Sequence, residues 1–482
     1  MADGAKGRGA ARRRAEGAAQ RPRESRLARQ STGVAGLDEI LNGGLLPGRA
    51  YLVRGGPGTG KTTVGLHFLG AGAALGEASL FITLAEPEAQ LRETAAALGL
   101  DLQGVEFLDL SPDSAFFREG RSYDLFSPAE VEREPLRERI EERIRAIRPR
   151  RVFLDAVTQL RYLFADPFQF RKQVLSLMRL LTEQGATVVL LSEASPEAPD
   201  DDVQYMSDGV IHLEHVLEGR TVEVTKFRGS DFRGGHHALR LTARGMEVYP
   251  RLVPSAHRQD FVMETLPSGV PYLDELLHGG VERGTVTIIS GPSGVGKTTL
   301  GMQFMKEAAG RGERSVVYSF EEHPQTLARR CAAVNMPVQY MLDGGTLTIM
   351  PIEPLRFAAD EFAQLVRTEV EARQARIVMI DSVSGYRLAI GGEDLVSRLH
   401  ALCKYLVNMG VTVLLVNEVE YLTGDFRITE VGISYLADNV IVLRYLEFNG
   451  ELRKAIGVLK KRLSDFERTL RQLEITRYGV QV

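Results

Sequence analysis

Short apolar runs alternate along the chain with longer stretches in which apolar residues recur every three or four positions. In the first half, the apolar runs predict strands at 50–54, 80–84, 151–155 and 187–191. A helix beginning at Lys61 and helices near 88–98 and 129–147 are predicted between these strands. Strands that are apolar at almost every position are typical of a parallel sheet that helices cover on both faces.

The same pattern returns in the second half of the chain. Strands are predicted there at 285–290, 315–320, 376–381 and 411–416. Each half ends in a β-rich, hairpin-like segment, 210–226 in the first and 440–460 in the second. The alternation of strands and amphipathic helices predicts an α/β fold with two tandem domains, each a mainly parallel sheet flanked by helices.

An internal repeat supports this division. The segment 33–45 recurs as 269–281, an offset that also carries Lys61 onto Lys297. A repeat of this length indicates a duplicated domain rather than a solenoid unit. We therefore predict a basic arm and two domains, with the boundaries 1–30, 31–252 and 261–482.

Each half carries a glycine-rich loop between a predicted strand and a predicted helix. The loops, GGPGTGKT at 55–62 and GPSGVGKT at 291–298, fit the P-loop pattern. The backbone N–H groups of such a loop surround phosphates, and the helix N-terminus adds a favourable dipole. The predicted ATP-binding residues of the loops are Gly58, Thr59, Gly60, Lys61, Thr62, Thr63, Gly294, Val295, Gly296, Lys297, Thr298 and Thr299.

Within the loops, the lysine and the first threonine have separate predicted roles. Lys61 and Lys297 are expected to reach the β- and γ-phosphates of ATP. Thr62 and Thr298 are expected to offer a hydroxyl to Mg²⁺.

Two aspartates complete the expected magnesium sites. Asp155 and Asp381 each close an apolar strand. An aspartate after a strand is often only a turn or a helix cap. Next to a P-loop, however, this is the position of the acid that holds the magnesium shell, so we predict that function for both residues.

The turn after the second predicted strand differs between the halves. The second half reads Ser-Phe-Glu-Glu at 319–322, and the first half reads Thr-Leu-Ala-Glu at 83–86. A carboxylate at this edge can polarise an attacking water or accept a hydroxyl proton. Glu321, Glu322 and Glu86 are therefore candidate catalytic residues, with a solvent-exposed charge at a helix start as the alternative.

A Lys-x-Arg triplet occurs on a late strand of each half, as Lys226 and Arg228 and again as Lys460 and Arg462. Strand alternation predicts that both side chains of each triplet lie on one face. Two interpretations stay open. The triplet is either a basic strand edge that discourages aggregation or a cationic pair that contacts the nucleotide of a neighbouring subunit.

Composition fits a water-soluble enzyme. Hydrophobic residues make up 44% and charged residues 25% of the chain, which is ordinary for a globular protein. The N-terminus has no apolar signal core, so we expect a cytoplasmic protein without a membrane partner. Cys331 and Cys403 are the only cysteines and are expected to be reduced core residues.

Charge is unevenly distributed. Residues 1–30 carry nine Lys or Arg against three acids, a net charge of +6. The net charge of the whole chain is −4, so the remaining residues carry a net charge of −10. The arm lacks apolar periodicity and is predicted to be disordered. An acidic body argues against a protein built around a DNA channel, so nucleic acid is not an expected partner.

These motifs resemble the KaiC family, bacterial and archaeal ATPases built from two fused RecA-like P-loop domains. The resemblance runs from about Thr32 to Val480 and includes both P-loops, Phe320-Glu321-Glu322 and the Lys-x-Arg pairs. Its most specific part is Ile428-Thr429-Glu430-x-x-Ile433-Ser434, because generic RecA-like ATPases lack this motif.

The resemblance implies a homohexamer with ATP and Mg²⁺ at its subunit interfaces, slow ATP hydrolysis and a regulatory protein partner. Lys226, Arg228, Lys460 and Arg462 would then contact the neighbouring subunit's nucleotide, and Glu321 would join the metal site. The resemblance also implies autophosphorylation on a Ser-Thr pair, which here is Ser434-Tyr435, so Ser434 is the predicted phosphoacceptor.

Two departures from the family pattern change these expectations. Ala85 replaces the family's catalytic base in the first half, which predicts a site that mainly binds ATP. The clock proteins of the family continue into a C-terminal tail that recruits a partner, and we expect the sequence ending at Val482 to lack it.

Three functions fit the sequence. Glu321, Glu322 and Ser434 favour an ATPase with serine autokinase activity in signalling or timing. The shared fold and the basic arm favour a DNA-associated ATPase of the RecA or RadA type. Ala85 favours a scaffold whose ring assembly is switched by nucleotide.

Overall fold

Two nine-stranded sheets, one in each half of the chain, form the centre of the structure. The computed structural model describes residues 28–112, 114, 129–163, 166–193, 199–217, 219–391, 395–419 and 435–482. Residues 1–27 of the predicted basic arm lie outside these ranges.

The first sheet has the strand order β3-β2-β4-β5-β1-β6-β7-β8-β9. Its strands are β1 (Ala50–Gly55), β2 (Ser79–Thr83), β3 (Val105–Asp109), β4 (Arg151–Asp155), β5 (Thr187–Ser192), β6 (Gly209–Val216), β7 (Gly219–Phe227), β8 (His237–Thr242) and β9 (Gly245–Tyr249). Pairing is parallel from β3 to β6 and antiparallel from β6 to β9.

The second sheet repeats this order as β14-β13-β16-β18-β12-β19-β20-β21-β22. The strands of the second half are β10 (Thr265–Leu266), β11 (Val281–Glu282), β12 (Val286–Gly291), β13 (Arg314–Ser319), β14 (Leu347–Pro351), β15 (Phe357–Ala358), β16 (Ala375–Asp381), β17 (Ile390–Gly391), β18 (Thr412–Glu418), β19 (Asn439–Phe448), β20 (Glu451–Lys461), β21 (Arg471–Thr476) and β22 (Gly479–Gln481). Short pairs β10–β11 and β15–β17 lie beside the main sheet.

Helices cover both faces of each sheet. They are α1 (Ala35–Ile40), α2 (Lys61–Ala74), α3 (Glu88–Ala97), α4 (Ala129–Ile147), α5 (Pro167–Glu183), α6 (Asp201–Met206), α7 (Pro271–Leu276), α8 (Lys297–Gly310), α9 (Pro324–Ala332), α10 (Val338–Asp343), α11 (Ala359–Arg367), α12 (Val383–Ala389) and α13 (Leu395–Asn408). Two 3₁₀ turns (Val157–Leu163 and Pro254–Ala256) and a π turn (Thr368–Ala372) join them. Among the described residues, none of the helices has the length and apolar character needed to span a membrane.

The predicted fold class is confirmed, since each half is a mainly parallel sheet between two layers of helices. The hairpin-like segments are the antiparallel pairs β6–β7 and β19–β20. The structure adds to each half two further antiparallel strands and one parallel edge strand, which is β3 in the first half and β14 in the second. These strands are short and only partly buried, so they lack the continuous apolar run that identified the central strands.

Both cysteines lie in the second half as free, buried thiols, as predicted. Burial raises the pKa of Cys331 to about 11 and that of Cys403 to about 12. Because the thiolate is the reactive form of cysteine, both side chains act as packing groups.

A charged cluster joins the two halves. One carboxylate oxygen of Glu39, in α1, accepts from Arg233 at 2.7 Å and from Arg367 at 3.1 Å. Arg367 belongs to α11 of the second half, so a single carboxylate bridges both halves. Arg240 of β8 and Glu361 of α11 add a second ion pair at 2.9 Å.

The helix after each P-loop packs closely on the strand that carries the predicted magnesium ligand. A Cβ added at Gly65 of α2 would lie 2.3 Å from the Phe153 ring of β4. At the equivalent Gly301 of α8, the nearest atom would be the Met379 sulfur of β16, also at 2.3 Å. The same close approach therefore meets a rigid ring in one half and a flexible thioether in the other.

We expect Gly65→Ala to destabilise the protein by about 1–3 kcal/mol, because the buried ring has no room to move. Gly301→Ala should cost less, since Met379 can change rotamer and alanine favours a helix by about 1 kcal/mol. Urea unfolding midpoints of the two variants test this difference. Equal shifts would contradict the packing difference described above.

Candidate active sites

Each P-loop leads from a central strand into a helix, β1 into α2 and β12 into α8. The glycine before each lysine, Gly60 or Gly296, has φ of 99° or 116°. This left-handed conformation favours glycine and turns the chain into the helix. The first N–H groups of the helix then face the loop, which is the geometry that binds phosphate.

The P-loop lysines are buried and fold back over their loops. Lys61 Nζ donates to the Gly56 carbonyl at 2.8 Å, and Lys297 Nζ donates to the Pro292 carbonyl at 2.8 Å. Burial lowers the pKa of both lysines, and nearby carboxylates oppose that shift. A poorly solvated ammonium group favours an anionic partner, so each loop offers a cationic site for phosphate.

A threonine and an aspartate meet in both halves. Thr62 Oγ1 donates to Asp155 Oδ2 at 2.8 Å, and Thr298 makes the equivalent hydrogen bond to Asp381. Burial raises the pKa of Asp155 and of Asp381 to about 6, although the threonine hydrogen bond lowers it. A hydroxyl beside a carboxylate supplies the hard oxygen donors that Mg²⁺ prefers, so these residues fit a magnesium site.

Parallel register places the second strand's turn beside these aspartates. Thr83 of β2 lies opposite Asp155, and Ser319 of β13 lies opposite Asp381. The carboxyl ends of parallel strands meet at one sheet edge, where open α/β sheets bind their ligands. The residues that follow Thr83 and Ser319 therefore border the P-loop site.

An equivalent hydrogen bond closes that turn in each half. Thr83 Oγ1 donates to the Glu86 carbonyl at 2.6 Å, and Ser319 Oγ donates to the Glu322 carbonyl at 2.7 Å. Because the backbone is held in the same way, the two turns differ mainly in the side chains that they carry.

In the second half, both glutamates of the turn have partners. The Ser382 hydroxyl donates to Glu321 Oε1. Arg330 of α9 pairs with Glu322 at 2.6 Å. Glu321 is thus held by Ser382, the residue after Asp381, while Glu322 is directed toward α9.

The first half has methyl groups at the corresponding positions. Ala85 stands where the second half has Glu321, and Ala156 stands where it has Ser382. The remaining acid of the turn, Glu86, is close enough to raise the pKa of Asp155.

A cavity of about 360 Å³ opens over the second P-loop. It brings together most of the predicted residues of that half, namely Gly294, Gly296, Lys297, Thr298, Thr299, Glu321, Glu322 and Asp381. Val295 is fully buried beneath the loop.

Two acids at this edge were not predicted. Glu418 ends β18 opposite Gly291, the first P-loop residue, and lines the cavity. Glu193 directly follows β5 in the first half. The negative charge of each acid opposes the burial that lowers the pKa of the nearby P-loop lysine. The signal that identified Asp155, an acid closing an apolar run, was present in both places.

A basic residue that also escaped prediction covers each P-loop. Arg220 Nε donates to the Gly58 carbonyl at 2.9 Å, and Lys454 Nζ donates to the Gly294 carbonyl at 3.1 Å. These residues lie on β7 and β20, 162 and 160 positions from their loop partners. No local sequence motif predicts a contact between residues so far apart in the chain.

Both side chains of the Lys-x-Arg pair in the first half donate to the same carbonyl group. Lys226 Nζ and Arg228 Nη2 both donate to the Tyr205 carbonyl, at 3.0 and 3.2 Å. The two side chains therefore share a face, as alternation predicted. Burial and the charge of Arg228 lower the pKa of Lys226.

The second half has a similar arrangement. Arg462 donates to the Tyr435 carbonyl at 3.1 Å and to Asp438 at 3.3 Å. Burial and the charge of Arg462 lower the pKa of Lys460. Among the described residues, the lining of the second-half cavity includes neither Lys460 nor Arg462. Contact between these pairs and a neighbour's nucleotide stays a prediction.

The predicted phosphoacceptor Ser434 lies outside the residues that the structure describes. The next residue, Tyr435, is described, and its exposed side chain packs edge-on against His400.

Comparison with known proteins identifies the family. Residues 30–253 and 266–482 each match the family model "ATPase: KaiC". Similar relatives include the circadian clock oscillator protein KaiC of Parasynechococcus marenigrum (strain WH8102), 29% identical across 94% of this chain and 89% of the relative. The Synechococcus elongatus protein of that name is also 29% identical, across 95% of this chain and 89% of the relative. The chain therefore belongs to the KaiC family of ATPases.

Proposed function

We propose that the protein hydrolyses ATP mainly at its C-terminal site, while its N-terminal site mainly binds ATP. One contrast between the halves carries this proposal. Glu321 stands beside Asp381 at the edge of a P-loop cavity, whereas Ala85 occupies that position in the first half. A carboxylate can take up the proton of an attacking water, and a methyl group cannot.

The C-terminal residues support distinct steps of such a reaction. Lys297 would neutralise the β- and γ-phosphates, and Thr298 and Asp381 would hold Mg²⁺, with Glu321 nearby. Bound Mg²⁺ would offset the negative charge that develops on the phosphates. Glu321 would orient the attacking water and accept its proton. The N-terminal half keeps the P-loop, Thr62 and Asp155, so it retains the groups needed for binding.

We further propose that the same site phosphorylates Ser434. A base that accepts a proton from water can also accept one from a serine hydroxyl. The relatives bear the name circadian clock oscillator protein, which favours a function in timing over a function on DNA. Glu322 forms an ion pair with Arg330, so it would stabilise the turn rather than contact the nucleophile.

Self-association is the third part of the proposal. Lys226 and Arg228 place two cations side by side, as do Lys460 and Arg462. Burial is the main cause that lowers the pKa of each lysine, and the charge of the neighbouring arginine lowers it further. An anion brought by another subunit would relieve that repulsion. A homohexamer with ATP between its subunits would supply such an anion.

Replacing Glu321 by Gln tests the catalytic assignment. We expect Glu321→Gln to lower the kcat for ATP hydrolysis about 100-fold, the usual scale for loss of a general base. The matched control is Ala85→Gln, which installs the same side chain at the equivalent N-terminal position and should leave turnover nearly unchanged.

Incubation with Mg²⁺ and ATP, followed by phosphosite mapping, should show phosphate on Ser434 in the wild type and loss of it in Glu321→Gln.

Equal turnover in Glu321→Gln and the wild type would contradict the catalytic assignment. Normal hydrolysis without phosphate on Ser434 would remove only the kinase part.

The raised pKa of Asp155 and Asp381, about 6 in both cases, predicts a pH dependence. Above this pH the carboxyl groups are ionised and can bind Mg²⁺, and below it they are protonated and bind poorly. We therefore expect the affinity for Mg²⁺-ATP to fall as the pH drops through about 6. Because Mg²⁺ favours the ionised form, more Mg²⁺ should move the midpoint to lower pH. Binding titrations at two Mg²⁺ concentrations check this, and a midpoint that ignores Mg²⁺ would contradict the assigned ligands.

A further inference from the structure

Ser382 directly follows Asp381 and contacts the proposed catalytic base. Its hydroxyl donates to Glu321 Oε1 and accepts the N–H of Gly385 at 3.0 Å. The side chain is 3% exposed, and it caps the N-terminus of α12. A hydroxyl that both donates and accepts is fixed in its rotation, so its proton is directed at the carboxylate.

Gly385 allows α12 to lie close to the glutamate turn. A Cβ at this position would lie 2.6 Å from Phe320 Cβ and 3.3 Å from Glu321 Oε1. A side chain here would push α12, and Ser382 with it, away from the turn. The absence of a side chain at Gly385 therefore leaves room for the hydrogen bond between Ser382 and Glu321.

The first half has none of these three residues. In place of Glu321, Ser382 and Gly385 it has Ala85, Ala156 and Gln159. The segment after the aspartate is also a 3₁₀ turn there, Val157–Leu163, rather than an α-helix.

Two hydrogen bonds of the site are the same in both halves. The threonine–aspartate contact is present in each, and so is the hydrogen bond that closes the glutamate turn. The three positions therefore differ between two halves that share these contacts.

We propose that Ser382 is a positioning residue for Glu321, a step that rests on the proposed hydrolysis at the C-terminal site. With Oε1 occupied by the serine hydroxyl, Oε2 is left to accept the proton of the nucleophile. Because the carboxylate is already held in one orientation, it does not have to rotate into place before the reaction. Ser382 itself touches neither water nor phosphate in this scheme.

A double-mutant cycle on the full chain tests the proposal. Ser382→Ala should lower kcat about 10-fold, the expected scale for losing a hydrogen bond to a charged group. It should leave unchanged the affinity for a non-hydrolysable ATP analogue. Ser382→Thr, which keeps the hydroxyl, should retain most of the activity. In a Glu321→Gln background, Ser382→Ala should have no further effect on kcat, because the amide is not a base and its orientation no longer matters for proton transfer.

Two outcomes overturn the positioning function. One is an equal loss of kcat in Ser382→Ala and Ser382→Thr, and the other is a Ser382→Ala loss that persists in the Glu321→Gln background. Normal turnover in Glu321→Gln alone would instead overturn the proposed function, so the two failures are distinguishable.

A gain-of-function graft gives a second test if Ser382→Ala does not fold. In a chain carrying Lys297→Ala, the change Ala85→Glu alone should restore little hydrolysis. Adding Ala156→Ser and Gln159→Gly should raise it about 10-fold further, since the added hydroxyl orients the new carboxylate. Equal activity with and without the added pair would also overturn the proposal.

Discussion

The parallel register of the central strands is the constraint on which the rest of each half depends. It brings the carboxyl ends of β2, β4, β5 and β1 to one edge in the first half, and those of β13, β16, β18 and β12 to one edge in the second. The P-loop, the strand-ending aspartate and the glutamate turn are far apart in sequence, and only this register makes them neighbours. The hydrogen bond from Thr62 to Asp155, across 93 positions of sequence, is the direct result.

The two halves share this strand register, and a small group of side chains distinguishes their two proposed sites. Both halves have the P-loop lysine and the threonine–aspartate hydrogen bond, the groups that we propose bind a nucleotide phosphate and a metal. Only the second half has Glu321 together with Ser382, which holds it. Glu39, which accepts from both Arg233 and Arg367, joins the two halves physically.

The sequence was sufficient to predict the parts of this site that are local. The P-loops and the strand-ending aspartates follow from contiguous patterns and a repeat, and the central strands from their unbroken apolar runs. Contacts between distant segments were beyond it. Ser382 meets Glu321 across 61 positions, and Lys454 meets Gly294 across 160. The outer antiparallel strands were missed because partial burial leaves no strong apolar period.

The division of labour between the halves is tested most directly by single-turnover hydrolysis in Lys61→Ala and Lys297→Ala. Each variant disables one P-loop and leaves the other intact. If hydrolysis resides in the C-terminal half, Lys61→Ala keeps the hydrolytic phase and Lys297→Ala loses it. Equal residual rates in the two variants would contradict that division.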